Sequence, residues 1–155
     1  MEIDLSLPDE AATLALGGAL APGALPGRTL HLRGELGSGK TTLARGLLRA
    51  LGVADRIKSP TYSLVEPYTL SSLHLYHFDF YRVKDSSEWL SSGLREYFNA
   101  QSVCIVEWPE RAGTALPPAD LDISLTFSGD GRKAALETRS DAGADWLARL
   151  PRSLS

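Results

Sequence analysis

The stretch from Gly34 to Thr42, GELGSGKTT, constrains this chain more than any other. It fits the phosphate-binding pattern G-x-x-x-x-G-K-S/T, with Gly34, Gly39, Lys40 and Thr41 in the fixed places. Its flanks have the required context. Arg28-Thr29-Leu30-His31-Leu32 reads as a strand, and Leu43, Leu47, Leu48 and Leu51 recur at helical spacing. Gly52 stands where a left-handed helix cap belongs. A loop that turns between a strand and a helix, without Cβ atoms at Gly37 and Gly39, lets backbone amides close on a phosphate. The amides from about Gly37 to Thr42 are the expected donors. Lys40 supplies a point charge for the outer phosphates, and the Thr41 hydroxyl is placed to ligate Mg²⁺. A glycine-rich turn that binds nothing would need neither the Lys nor the Thr.

The remainder of the chain reads as one domain of 155 residues, with 43% hydrophobic residues to build a core. A net charge of −3 gives no polyelectrolyte footprint, so this chain is not expected to grip nucleic acid alone. One cysteine excludes an intrachain disulfide, which suits the cytoplasm. The Ala/Gly/Leu-rich run from Ala11 to Leu25 is interrupted by Gly17-Gly18 and Pro22 and is too short to span a bilayer; neither a membrane segment nor a signal peptide is expected.

In chain order, Glu2 to Leu5 suggests a strand, and Pro8-Asp9-Glu10 opens a helix ending near Ala21. Pro60 makes Ser59-Pro60-Thr61 a loop feeding a strand. Leu73 to Tyr81 is rich in β-formers. Asp85 and Glu88 introduce a helix toward Phe98, with Gly93 weakening its continuity. Val103 to Val106 is a continuous apolar run, as in a strand covered on both faces. Leu121 to Phe127 alternates apolar and polar residues, which predicts a half-exposed, antiparallel strand. Ser128 to Gly131 is a turn, Arg132 to Arg139 the return strand, and Asp141 to Leu150 a terminal helix stopped by Pro151. The expected fold is a three-layer α/β P-loop nucleoside-triphosphatase domain, a central parallel sheet with antiparallel marginal strands, spanning residues 1–155.

A phosphate loop alone only binds; hydrolysis needs acids near the last phosphate. Asp79 and Glu107 both end strand-like runs, and ligands of open α/β sheets collect at the carboxyl ends of strands. A surface or ion-paired Asp79 and a strand-capping Glu107 are the alternatives. His74 and His77 lie three apart on a strand, a poor metal spacing. Cys104 is expected to be buried and inert.

Taken together, GELGSGKTT at Gly34–Thr42, SPTYSLVEPY at Ser59–Tyr68, HFDFYR at His77–Arg82 and VEWPER at Val106–Arg111 resemble the bacterial TsaE (YjeE) family, the ATPase of tRNA threonylcarbamoyladenosine biosynthesis. The resemblance runs from the first helix to about residue 127. It implies ATP and Mg²⁺ as cofactors. The nucleotide would lie against Glu35, Leu36, Gly37, Ser38, Gly39, Lys40, Thr41, Thr42 and Trp108. Asp79 would hold Mg²⁺ with Thr41, and Glu107 would polarise the attacking water or support the metal. Lys40, Glu107 and Thr61 would be the catalytic set, with Thr61 in a mobile segment near the γ-phosphate. Arg82 would neutralise phosphate charge or form an internal ion pair. TsaD and TsaB would be the partners, and tRNA would be reached through them.

The main alternative is a small metabolite or nucleoside kinase on the same loop, which usually needs an Arg-bearing lid; no compact Arg-rich segment is evident. A GTPase would need an N-K-x-D motif and a D-x-x-G motif, and neither occurs. A nucleotide-gated binding module, in which the ATP-bound shape is what partners recognise, overlaps with the family reading.

Overall fold

The computed structural model describes residues 1–151 and Ser153. Its strands are β1 (Glu2–Leu7), β2 (Thr29–Arg33), β3 (Val65–Leu70), β4 (Leu73–Asp79), β5 (Ser102–Glu107), β6 (Leu121–Ser128) and β7 (Gly131–Thr138). Its helices are α1 (Glu10–Ala19), α2 (Lys40–Leu51), α3 (Ser87–Leu90) and α4 (Asp141–Ala148). The strands form one sheet in the order β1-β7-β6-β2-β5-β4-β3. The central strands β6, β2, β5 and β4 run parallel. The margins are antiparallel, β3 against β4 on one side and β7 and β1 beyond β6 on the other. Every residue of β5 is buried, as its apolar run requires of a strand between two parallel neighbours.

One face of the sheet is covered from edge to edge. Leu30, Leu32, Leu75, Val103, Ile105 and Ile123 point into a core closed by Leu16 of α1 and Leu20 at its C-terminal cap, Leu43 and Leu47 of α2, and Trp146 of α4. On the other face the apolar cover lies over β4 and β5, where Phe78, Cys104 and Val106 meet Phe80, Trp89 and Ala112. This uneven cover explains two departures from the sequence-based expectation.

The first is the helix expected from Asp85 toward Phe98. Only α3 forms, followed by a 3₁₀ turn over Leu94–Tyr97, with Gly93 between them at φ 76°. A continuous helix would set Trp89 and Phe98 on opposite faces at 100° per residue. The break turns both inward: Trp89 packs 5.1 Å from Phe80, and Phe98 stacks 4.8 Å from Phe78.

The second is β6. It is antiparallel to β7 but parallel to β2, and it is buried from Leu121 to Ile123 and exposed only from Thr126 onward. Asp122, a polar position of the alternation, is buried with ion pairs to Arg33 at 2.9 Å and Arg139 at 3.5 Å. Paired charge lets a polar position leave water.

Helices α1 and α2 cross at backbone contact. A Cβ on Gly17 would overlap the Leu43 carbonyl, and one on Gly46 would overlap the Leu14 carbonyl. This crossing seats α2, and with it the loop at its N-terminus. Backbone cannot yield as a side chain can, so Gly46→Val is expected to cost about 3 kcal/mol or more in urea unfolding.

His31 of β2 is buried on the thinly covered face, and desolvation pushes its imidazole down to about 4, against the pull of Asp122. The unfolded chain holds that proton up to about pH 6.5. Between these values the unfolded state binds more protons than the folded one, so stability falls as pH drops through the window. Melting curves from pH 7 to pH 4 should therefore decline less steeply for His31→Leu than for the wild type.

Candidate functional site

The parallel register decides where the chemistry-bearing residues meet. Asp79 ends β4 and Glu107 ends β5, and the two are paired neighbours; Leu32 of β2 also pairs with Glu107. The chain leaving β2 therefore enters the Gly34–Thr42 loop beside both carboxylates. The loop turns into α2 through Gly39 at φ 107°, a left-handed conformation that favours glycine. The amides at the start of α2 have no acceptor within the helix and carry its positive dipole end.

Cations brace the loop from both sides. Lys40 Nζ donates to the Gly34 carbonyl and, at 3.0 Å, to the Glu35 carbonyl. Arg132, at the start of β7, donates to the Gly37 carbonyl at 3.0 Å and the Ser38 carbonyl at 3.2 Å. Carbonyls held this way leave the loop's donors for an anion.

The acids are buried and bonded. Thr41 Oγ1 lies 3.0 Å from both carboxylate oxygens of Glu107. His77 Nε2 lies 2.7 Å from Glu107 Oε2. Asp79 accepts the Tyr81 amide proton at 2.9 Å and the Thr61 hydroxyl at 3.4 Å. Burial pushes the Asp79 carboxyl up, and the charge of Glu107 adds to this against the Tyr81 amide. Burial likewise lowers the Lys40 ammonium, opposed by Glu107, Asp79 and Glu110. Both groups are thus held at a cost that an added counter-charge would relieve.

Trp108 follows Glu107 in a left-handed conformation at φ 56°, unusual for a bulky residue. The turn aims its ring across the loop. Lys40 Nζ lies 4.2 Å from its centroid, and the Tyr81 ring lies 4.9 Å away.

A cleft of about 290 Å³ results, lined by Leu36, Gly37, Gly39, Lys40, Thr41, Thr42, Thr61, Asp79, Tyr81, Glu107 and Trp108. Almost every residue singled out from the sequence converges here. Ser38 is buried behind the loop, and the exposed Glu35 side chain is outside the cleft lining. Arg82 makes no ion pair among the described residues, and its guanidinium lies 4.3 Å over the exposed Tyr62 ring.

A second cavity of about 300 Å³ opens on the other side of the loop, lined by Asp9, Glu10, Thr13, Gly37, Ser38, Gly39, Thr42, Asp130, Gly131 and Arg132. Sequence reasoning assigned none of Thr13, Arg132, Tyr81 and His77. Thr13 and Arg132 come from distant, motif-free segments. Tyr81 and His77 each stand two residues from Asp79. The period-two rule for strands places His77 on the same face as Asp79, so that signal was present. Among the described residues no helix is long and apolar enough to cross a membrane.

Residues 7–135 match the family model described as threonylcarbamoyl adenosine biosynthesis protein TsaE. The chain is 39% identical over 142 residues to the tRNA threonylcarbamoyladenosine biosynthesis protein TsaE of Haemophilus influenzae, covering 88% of this chain and 90% of that one. It is 41% identical over 126 residues to the protein of the same name from Bacillus subtilis, covering 81% and 77%. The crystal structure of Bacillus subtilis YdiB superposes with a TM-score of 0.83 at 31% identity, covering 99% of this chain and 96% of that chain.

Proposed function

The chain belongs to the TsaE family, and from that membership we propose that it is a P-loop ATPase, which binds ATP with Mg²⁺ and hydrolyses it in support of threonylcarbamoyladenosine formation on tRNA. The observation that carries the reading is the meeting of Thr41, Asp79 and Glu107 at the mouth of the Gly34–Thr42 loop. The residues act together as one nucleotide-binding domain.

Three oxygen-bearing side chains suit Mg²⁺, which takes few protein ligands and keeps water and phosphate oxygens. Thr41 and Asp79 would hold it, with support from Glu107, and it would neutralise charge on the β- and γ-phosphates. The amides of Gly37 to Thr42 bind the phosphates. Lys40 leaves the Gly34 and Glu35 carbonyls for the phosphate oxygens, a short swing because its ammonium already lies in the cleft. Glu107 orients the attacking water and accepts its proton. Thr61, bonded to Asp79, stands where it would sense the γ-phosphate, and Trp108 and Tyr81 wall the cleft. The nucleoside half would continue around the loop into the second cavity, against Thr13 and Arg132.

TsaD and TsaB homologues are the proposed partners, and the net charge of −3 supports an indirect path to tRNA. Cytoplasmic action follows from that substrate. No observation favours the small-molecule kinase alternative.

Saturating ATP with Mg²⁺, at about a hundred times its dissociation constant, should add roughly 2.7 kcal/mol of stability. Lys40→Ala should lose most of the resulting melting shift; an undiminished shift would remove the loop from the binding site. Glu107→Gln should keep ATP binding while turnover drops by about 10²-fold or more, because an amide cannot accept the proton. Adding a TsaD–TsaB pair should raise wild-type turnover, and no response would remove those partners. Arg132→Ala should weaken ATP binding about tenfold, the worth of one charge-assisted contact. Unchanged affinity would take the nucleoside out of the second cavity.

A further inference from the structure

His77 is wholly buried, on the face of β4 that packs under α2. On that face Leu75 and Asp79 flank it along β4, Ile105 stands opposite it on β5, and Glu66 stands opposite it on β3. Among the described residues its Nδ1 has no hydrogen-bond partner, and its one hydrogen bond is the 2.7 Å contact from Nε2 to Glu107 Oε2. An orphaned ring nitrogen in a core is costly, and a leucine of similar bulk would fill the space without that cost. An unprotonated nitrogen tolerates lack of a partner better than an orphaned N–H. The proton therefore sits on Nε2, and His77 donates to Glu107.

The other donor to Glu107 is Thr41, whose hydroxyl spans both carboxylate oxygens. In the proposed function the Thr41 hydroxyl also ligates the metal, so its hold on Glu107 is shared with that ion. The His77 N–H on Oε2 is then the contact to Glu107 that no ligand competes for. Resting on that reading, we propose that His77 is the positioning residue of the ATPase: it pins Oε2 so that Oε1 faces the attacking water in a constant orientation. His77 does not touch substrate. It acts through Glu107, as outer partners orient the groups that do chemistry.

The test compares His77→Leu, His77→Gln, His77→Asn, Glu107→Gln and the double variant His77→Leu/Glu107→Gln in the full chain. Steady-state ATP hydrolysis is measured alongside ADP binding by calorimetry without Mg²⁺. His77→Leu should lower kcat about 10- to 100-fold with KM and ADP affinity within about threefold of wild type. His77→Gln, whose amide reaches the Nε2 position, should recover most of the rate, and the shorter His77→Asn should not. His77→Leu should cost nothing further in the Glu107→Gln background, because residues acting as one unit are not additive. Wild-type kcat in His77→Leu, or an equal second loss in the double variant, would overturn the proposal. If His77→Leu does not fold, equal rates for the Gln and Asn variants would overturn it instead. A wild-type chain that neither binds nor hydrolyses ATP would overturn the ATPase reading as well, and an active wild type beside an equally active His77→Leu would overturn this inference alone.

Discussion

A carboxylate sealed in a protein interior must be given donors, and Glu107 finds them on two different elements. It is buried at the end of β5, one of the central parallel strands, under the first turn of α2. Thr41 reaches it from the helix and His77 from the neighbouring strand. These bonds join the sheet to the helix that the glycine loop launches. Removing either donor would leave a desolvated oxygen short of partners, which costs about 1–3 kcal/mol. The fold and the candidate chemistry thus share one residue.

The same economy extends to the rest of the cleft. Lys40 satisfies loop carbonyls and lies over Trp108, Thr61 shares Asp79 with the Tyr81 amide, and Arg132 holds the far side of the loop. A ligand entering here would meet the free amides of the loop and draw Lys40 away from its loop carbonyls, exchanging one partner for another. The burial that raises the Asp79 carboxyl and lowers the Lys40 ammonium makes that exchange favourable. Local strain falls in the same place, in the left-handed backbone of Trp108.

Much of this was legible in the sequence, for definable reasons. The loop has fixed glycine, lysine and threonine positions, and the continuous apolar run before Glu107 could only be a central strand. Asp79 and Glu107 could be placed at strand ends, and the parallel register then made them neighbours. The break in the helix after Asp85 was harder, because it is enforced by aromatic packing of Trp89 and Phe98 across the chain. The burial of Asp122 depends on Arg33 and Arg139, which lie far from it in sequence. Thr13 and Arg132 are brought to the loop only by the α1–α2 crossing and the β6–β7 hairpin, so no local pattern marks them. His77 is different: its spacing of two from Asp79 on a strand places it beside the carboxylates, where a histidine of poor metal spacing serves as a donor.

The central claim is that the Gly34–Thr42 loop and the carboxylates of Asp79 and Glu107 form one triphosphate and metal site. A crystal structure with a non-hydrolysable ATP analogue and Mn²⁺, located by its anomalous signal, tests this most directly. The Mn²⁺ peak is expected about 2.1–2.2 Å from Thr41 Oγ1 and beside Asp79, near the octahedral distances of Mg²⁺, with the β-phosphate on the amides of Gly37 to Thr42. Phosphates bound outside the loop, or a metal remote from Thr41 and Asp79, would contradict it.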